Sequence, residues 1–241
     1  MLGTMPLAAF SQLSFSECKT LILEAHEKQN IREYPADNDI IYLFSFKVIT
    51  KTREDDDAIE SQSAIYIGKN QMKMVTDEVE IYQDRQDAFT LMKSKSEIYH
   101  STSQLFEDRE KRMNQFHRIQ DTLLKVSEVS ECTSDKDNSD SIDLIIKLKP
   151  NEFGRKSFRT REIIYHINQE NLQIKKVKYL HTPDNPIEYS EWFFIALDFN
   201  YREQNLFSKP VKDLFLDDNG ELREEFSAYD LIDWKSNPTY Y

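Results

Sequence analysis

Hydrophobic and polar residues alternate along much of the chain between residues 39 and 99. In Asp39–Val48, the side chains of Tyr42, Phe44, Phe46 and Val48 fall at every second position. Side chains of a β-strand point to opposite faces with a period of two, so these four share one surface. The pattern predicts a β-strand with an apolar face.

The alternation continues in four shorter segments. Ser63–Ile67 and Gln71–Val75 flank Gly68–Asn70, a short connection containing glycine that is typical of a β-hairpin. Two more strands are predicted at Val79–Tyr82 and Ala88–Leu91. Together these strands predict a curved antiparallel sheet whose apolar face needs cover.

Two segments show the periodicity of amphipathic helices. Ser14–Gln29 opens with Ser14 and Glu17 in the spacing of a capping box, in which each side chain binds a backbone N–H of the first turn. Ser101–Val126 carries an apolar stripe that includes Phe116. Packing on the sheet is the default interpretation of that stripe, and a lid over a cavity is the alternative.

The region after the second helix divides into a polar part and a strand-rich part. Ser127–Ser141 is rich in Ser, Asp and Glu, which predicts a mobile loop between two halves of the sheet. Five later segments are predicted as strands: Ile142–Leu148, Arg161–Ile167, Leu172–Leu180, Glu188–Phe199 and Tyr229–Trp234. A change of phase near Lys175 indicates a β-bulge. Glu188–Phe199 is apolar on both sides, as a central covered strand is, whereas Tyr229–Trp234 is predicted at an edge.

Charge and glycine content narrow the classes of function. The 241 residues carry a net charge of −12, with 31 Lys and Arg against 43 Asp and Glu, and such a field repels nucleic acids and anionic membranes. Only four glycines occur, and none belongs to a phosphate-binding loop. The chain has no Gly-x-Ser-x-Gly motif, and its acids are too numerous for any one pair to indicate glycoside hydrolysis. We therefore expect neither an enzyme nor a cofactor.

The cysteines and histidines do not suggest a metal site. Cys18 and Cys132 are far apart and lack the spacing of metal ligands, and the five histidines are scattered. Cys18 falls on the apolar side of the first predicted helix. This placement favours a buried free cysteine over a disulfide, which stays the alternative.

The first residues resemble the end of a secretion signal. Met1–Ser11 is apolar, and Ala9-Phe10-Ser11 has small residues at the spacing that a signal peptidase reads, with cleavage before Gln12. We expect residues 1–11 to be a truncated signal peptide and residues 12–241 to form a single exported domain. An ordinary N-terminal segment is the alternative.

In layout and in three fragments the chain resembles the periplasmic outer-membrane lipoprotein carrier (LolA-like) family, especially divergent Bacteroidetes members. The fragments are Tyr42–Val48, Ile65–Met74 and Ile163–Val177. The resemblance implies a mainly β fold with helices (α+β), in which a half-open β-barrel holds acyl chains on a concave face capped by two helices. The chain lacks a Pro-Gly segment after the second strand and a counterpart of the family's lid-locking arginine, so no single functional residue is transferred.

The predicted function is that of a non-catalytic carrier in the periplasm, or outside the cell. An acyl chain of a lipoprotein, or another apolar ligand, is expected to bind the concave face through Phe44, Phe46, Ile65, Ile67, Met72, Met74 and Phe116. Membrane-associated donor and acceptor proteins are further partners that the resemblance implies. The alternative is a periplasmic interaction module that fills the same concavity with its own side chains.

Overall fold

The computed structural model describes residues 13–29, 35–103, 118–136, 142–203 and 205–235. Four helices lie in these ranges: α1 (Phe15–Gln29), α2 (118–125), α3 (Glu152–Phe158) and α4 (Val211–Phe215). Two 3₁₀ turns are also present, at Lys93–Lys95 and Glu224–Phe226. The strands are β1 (Ile41–Thr52), β2 (Ile59–Ile67), β3 (Met72–Thr76), β4 (Val79–Gln83), β5 (Asp87–Met92), β6 (Glu97–Thr102), β7 (Ser127–Lys136), β8 (Ile142–Pro150), β9 (Thr160–Asn168), β10 (Ile174–His181), β11 (Ile187–Tyr201) and β12 (Asp230–Asp233).

All twelve strands of the described residues belong to one open sheet. Their order is β12-β6-β5-β4-β3-β2-β1-β11-β10-β9-β8-β7, so β12 and β7 are the edges and the sheet is not closed into a barrel. Every neighbouring pair is antiparallel except β12 and β6, which are parallel. The predicted mainly β class with helices is therefore confirmed, and the parallel edge pair is an addition to it.

Local signals placed several elements correctly. The capping box forms, because the Ser14 backbone N–H donates to Glu17 Oε2 at 2.7 Å and the Glu17 N–H donates to Ser14 Oγ at 3.3 Å. The strands β2 and β3 pair as predicted, with Ile67 opposite Met72. The register between β9 and β10 shifts between Ile174 and Lys176, which is the predicted bulge.

The first hydrophobic core lies under α1 and α2 at the β7 end of the sheet. The fully buried Tyr165 is at its centre, and Ile22 of α1 and Leu124 of α2 pack into the same cluster. Directly opposite residues on neighbouring strands have side chains on the same face of a sheet. One such row, from β7 to β1, consists of Cys132, Ile146, Tyr165, Val177, Trp192 and Val48. We call the face that carries this row face A.

The second core lies at the other end of the sheet and on the opposite face, face B. It contains Phe89 and Ile98 from the sheet, together with Val211 and Phe215 of α4. In the register, Phe89 opposes Tyr82, whereas Thr90, the next residue, opposes Ile81 and belongs to face A. The two main helices α1 and α2 therefore share one face, while the short helix α4 covers the other.

The predicted loop at Ser127–Ser141 is wrong for residues 127–136, which form the edge strand β7. Its polar composition suits an edge, because one face of such a strand meets water. Val129 and Cys132 nevertheless lie on face A, on either side of a bulge, opposite Leu148 and Ile146. Residues 137–141 lie outside the described ranges.

The preference for a free Cys18 is also wrong. Cys18 of α1 and Cys132 of β7 form a disulfide across a sequence separation of 114 residues, and Cys18 is fully buried. The helical pattern placed Cys18 correctly on the apolar side of α1. Because the segment that contains Cys132 was predicted to be a loop, the packing of α1 on β7 was not expected.

The predicted second helix begins too early. Ser101 and Thr102 belong to strand β6, and the helix described within the predicted segment is α2. Residues 104–117, which include the predicted ligand residue Phe116, lie outside the described ranges, as does the predicted signal segment Met1–Ser11. The helices α3 and α4, seven and five residues long, carried too few turns for a periodic pattern to reveal them.

Candidate functional site

The six described residues of the predicted ligand-binding set lie together on face A, across β1, β2 and β3. In register, Phe44 opposes Ile65, which opposes Met74, and the neighbouring row contains Ile67 and Met72. Phe46 lies two residues beyond Phe44 on β1 and therefore on the same face. Their shared face follows from the alternation in the sequence, together with a register that contains no bulge between β1 and β3.

Strand β11 extends this surface on the other side of β1. The ring centroids of Phe46 and Trp192 are 5.5 Å apart, and the ring of Phe199 lies 5.2 Å from that of Tyr42 and 5.7 Å from that of Phe44. We call the whole surface the aromatic face; its members are Tyr42, Phe44, Phe46, Ile65, Ile67, Met72, Met74, Trp192, Leu197 and Phe199.

A β-bulge lets β11 contribute aromatic residues on both sides of Ile195. Phe46 opposes Phe194, whereas Ser45 opposes Ala196, so Ile195 is the extra residue on β11. The bulge changes the phase of alternation, and Leu197 returns to face A opposite Phe44. The sequence had shown β11 as apolar on both sides without indicating that β1 is its partner.

The aromatic face continues the first core but is less deeply covered. Phe194 packs against the first core and opposes Phe46 of the aromatic face. Within the described residues, Ile67 is buried and the other members of the aromatic face are half-buried. Apolar side chains in this state retain surface that a ligand or a partner can cover.

The opposite side of this part of the sheet carries pairs of charged side chains. On face B, Nζ of Lys47 lies 3.4 Å from Glu60 Oε2, and Nζ of Lys178 lies 2.9 Å from Glu191 Oε1. The Lys47 ammonium also lies 5.0 Å from the centroid of the Phe193 ring. An apolar ligand on face B would displace water from these charges, so face A is the favourable side.

The first core contains a buried chain of polar side chains that joins both helices to the sheet. His26 Nε2 lies 3.1 Å from the Tyr165 hydroxyl, and Gln120 Nε2 lies 2.8 Å from His26 Nδ1. Burial raises the pKa of Tyr179 to about 12 and raises the pKa of Tyr165 well above its usual value. Both phenols therefore stay neutral at physiological pH. The contacts of His26 with Tyr165 and Gln120 are suited to positioning α1 and α2 on the sheet.

The described residues offer little for metal or polar-ligand chemistry. No group of three or more His, Cys, Asp or Glu side chains among them is arranged to hold a metal ion. A shallow, open depression beside α1 is lined by Glu24, Glu27, Lys28 and Leu172. In the described part of the chain, no helix has the length and apolar character needed to cross a membrane.

No protein-family model matches the chain, and no curated protein matches it at a significant level. Several solved structures align with most of the chain. A LolA superfamily protein from Nitrosomonas europaea aligns with 79% of this chain and 97% of its own, at 9% identity and a TM-score of 0.30. An uncharacterized conserved protein from Thermus thermophilus aligns with 90% of this chain and 99% of its own, at 5% identity and a TM-score of 0.40. A DUF1329 family protein from Desulfovibrio piger aligns with 77% of this chain and 92% of its own, at 9% identity and a TM-score of 0.31.

The open, largely antiparallel sheet with α1 and α2 on one face is the architecture that the resemblance implied. In the layout of its strands and helices the chain is similar to these solved structures, which include a LolA superfamily protein. The Bacteroidetes type stays a prediction, and scores of this size describe the general layout of strands and helices only. The individual residues of the aromatic face are therefore assigned from this chain's own register.

Proposed function

We propose that the protein is a non-catalytic, exported carrier that binds an acyl chain or a similarly apolar ligand on the aromatic face. The observation that supports this best is the alignment of half-buried apolar side chains from β11, β1, β2, β3 and β4 in one row. The row consists of Leu197, Phe44, Ile65, Met74 and Ile81. Five strands about 4.8 Å apart make it about 19 Å long.

Burial of methylene groups supplies the driving force. Each methylene that leaves water contributes about 0.8 kcal/mol, and no charged partner is required. The rings of Phe44, Phe46, Trp192 and Phe199 offer a large contact area. Because the methionine side chain is unbranched and polarizable, the methionines of β3 suit a flexible ligand of variable length.

The disulfide supports the exported location. Disulfides persist in the periplasm and outside the cell and are rare in the cytosol. Cys18 and Cys132 are the only cysteines of the chain, and both are used in this bond. The two cysteines are therefore not available as nucleophiles or metal ligands.

The test compares pairs of neighbouring residues that point to opposite faces. Phe44→Ser and Met74→Ser remove apolar surface from face A, and Leu43→Ser and Val75→Ser are the matched controls, since all four positions are half-buried. Binding of a fluorescent fatty acid is titrated for each folded variant. We expect the face A variants to lose at least about tenfold in affinity, equivalent to about 1.4 kcal/mol, and the face B variants to stay near the wild-type value.

Mass spectrometry of organic extracts from natively purified protein identifies the ligand. A lipid or an acylated peptide is expected in the extract of the wild-type protein and not in that of Phe44→Ser. Empty extracts together with no binding of fatty acid would reject the carrier. The same result would favour the interaction module with a self-filled concavity.

A further inference from the structure

The charged side chains of the strands that carry the aromatic face are confined to face B. Six charged residues lie on β1, β2, β3 and the segment Ser190–Phe199 of β11. The cross-strand register places all of them on face B: Lys47, Lys51, Glu60, Lys73, Glu191 and Asp198. Face A of the same segments carries no charge. An ionised group bound there would leave water without a counter-charge from these strands, which is costly.

A band of hydroxyl side chains borders the aromatic face on face A. Ser63 lies opposite Phe46, the last aromatic residue of β1, and Ser190 lies two residues before Trp192 on β11. Four neighbouring strands thus change from apolar to hydroxyl side chains on the same face. We call these residues the hydroxyl band: Thr50 of β1, Ser61 and Ser63 of β2, Thr76 of β3 and Ser190 of β11.

The hydroxyl band offers hydrogen bonds without charge. Each hydroxyl group has one donor and two acceptor lone pairs, so it can bind an ester, an amide or an alcohol. Thr50, Ser63 and Ser190 are half-buried, whereas Ser61 is exposed. The band therefore lies where the partly covered surface meets water, which is a suitable position for the polar end of a ligand.

The ring of His181 adds hydrogen-bonding capacity beside the band. His181 Nε2 lies 3.3 Å from Ser190 Oγ, and burial lowers the pKa of this histidine below its usual value of 6.5, so the ring is neutral at physiological pH. Arg53 follows β1 and is exposed. Its guanidinium group donates to the carbonyls of His181, Thr182 and Asn185, which holds it at the turn between β10 and β11.

We propose that the ligand of the aromatic face is an amphiphile with an uncharged head group. Its apolar chain lies on the aromatic face, and its head group forms hydrogen bonds with the hydroxyl band. This inference rests on the proposed carrier function and adds the chemical class of the head group to it. Neutral esters, amides and alcohols of long-chain fatty acids belong to this class, whereas ionised fatty acids and long-chain amines bind through the chain alone.

Three ligands with the same chain length separate the contributions of chain and head group. Monopalmitoylglycerol, palmitate and hexadecylamine each compete with a fluorescent fatty acid for the folded protein. At about pH 8, palmitate is an anion and hexadecylamine a cation, while monopalmitoylglycerol is neutral. We expect monopalmitoylglycerol to bind at least about tenfold more tightly than either charged ligand, because only its head group enters the band without losing hydration of a charge.

Two variants assign this preference to the band. Ser63→Ala and Thr50→Val remove hydroxyl groups with little change in volume. Each is expected to lower the preference for monopalmitoylglycerol over palmitate about threefold to tenfold. Ser45→Ala is the matched control, since Ser45 is half-buried like Ser63 but lies on face B. Thr76 is left unchanged because its hydroxyl group holds the turn to β4 through Val79.

The outcomes distinguish this inference from the carrier function. Equal or tighter binding of a charged ligand would overturn the inference and leave the carrier function intact. So would a preference for the neutral ligand that survives both Ser63→Ala and Thr50→Val. If none of the three ligands bound the protein, the carrier function would be rejected and the inference with it.

Discussion

The two ends of the sheet are stabilised in different ways and on opposite faces. At the β7 end, face A is covered by α1 and α2, and a disulfide joins segments 114 residues apart. At the β12 end, face B is covered by α4, and the core consists largely of aromatic rings. The sheet thus changes the face that it buries along its width. In the strands between the two ends, β1 to β3 and β11, most side chains are half-buried on both faces, and the aromatic face lies there.

The second core is organised as a stack of four rings. His100, Phe89, Phe215 and Phe226 follow one another with centroid separations of 4.4, 4.5 and 4.7 Å. Stacked and edge-to-face aromatic pairs contribute about 0.5–1.5 kcal/mol beyond the burial of their area. One end of the sheet is therefore joined covalently, and the other depends on ring packing and charge.

The largest effect is expected at the covalently joined end. The double variant Cys18→Ala, Cys132→Ala should lose about 4–5 kcal/mol of unfolding free energy, because the disulfide closes a loop of more than 100 residues in the unfolded chain. Urea unfolding followed by circular dichroism measures the loss. Wild-type protein kept reduced during unfolding is the matched control and should lose a similar amount. Equal stability of oxidised and reduced protein would show that the bond does not stabilise this end.

At the other end, the expected effect is smaller and local. Phe215→Ala removes a fully buried ring that stacks on Phe89 and should cost about 3–4 kcal/mol. Hydrogen exchange should accelerate first in β5 and β6, while amides of β8 and β9 keep their protection. If the amides at both ends lost protection together, the sheet would unfold as one unit and the contrast between its ends would not extend to stability.

Local patterns in the sequence were sufficient for most of the strands and for α1. Alternation located β1 to β5, and the capping box marked the start of α1 within one residue. Contacts between distant segments were not accessible in this way. Nothing local indicates that Phe46 opposes Phe194, that β12 runs parallel to β6, or that Cys18 reaches Cys132.

The candidate site could be predicted only in part, because some of its members are brought in by contacts between distant segments. Period-two alternation is enough to place Phe44, Phe46, Ile65 and Met74 on a common face once the hairpins are known. Trp192 and Phe199 were missed because their membership depends on the pairing of β11 with β1 and on the bulge at Ile195. The sequence did show that β11 is apolar on both of its faces. That pattern indicated a central strand but did not identify the strands beside it.

The smallest expected effect concerns the charge at the β12 end, through Asp87. Burial acts to raise the pKa of Asp87, but hydrogen bonds from Lys235 and His100 outweigh it and hold the pKa below the usual value of 3.8. A carboxylate with a lowered pKa contributes stability that is present above its unfolded-state pKa and is lost as the pH falls through its folded-state pKa.

Asp87→Asn should therefore cost about 1–2 kcal/mol of unfolding free energy at pH about 7. The cost is moderate because the partly exposed Lys235 can turn to water. Denaturant unfolding at several pH values should show this difference shrinking below pH about 4, since the wild-type carboxylate then takes up its proton. The control Asp230→Asn alters an exposed carboxylate on β12 and should match the wild-type protein throughout. A cost of Asp87→Asn that stays constant down to pH about 2 would assign the effect to packing and not to the charge of Asp87.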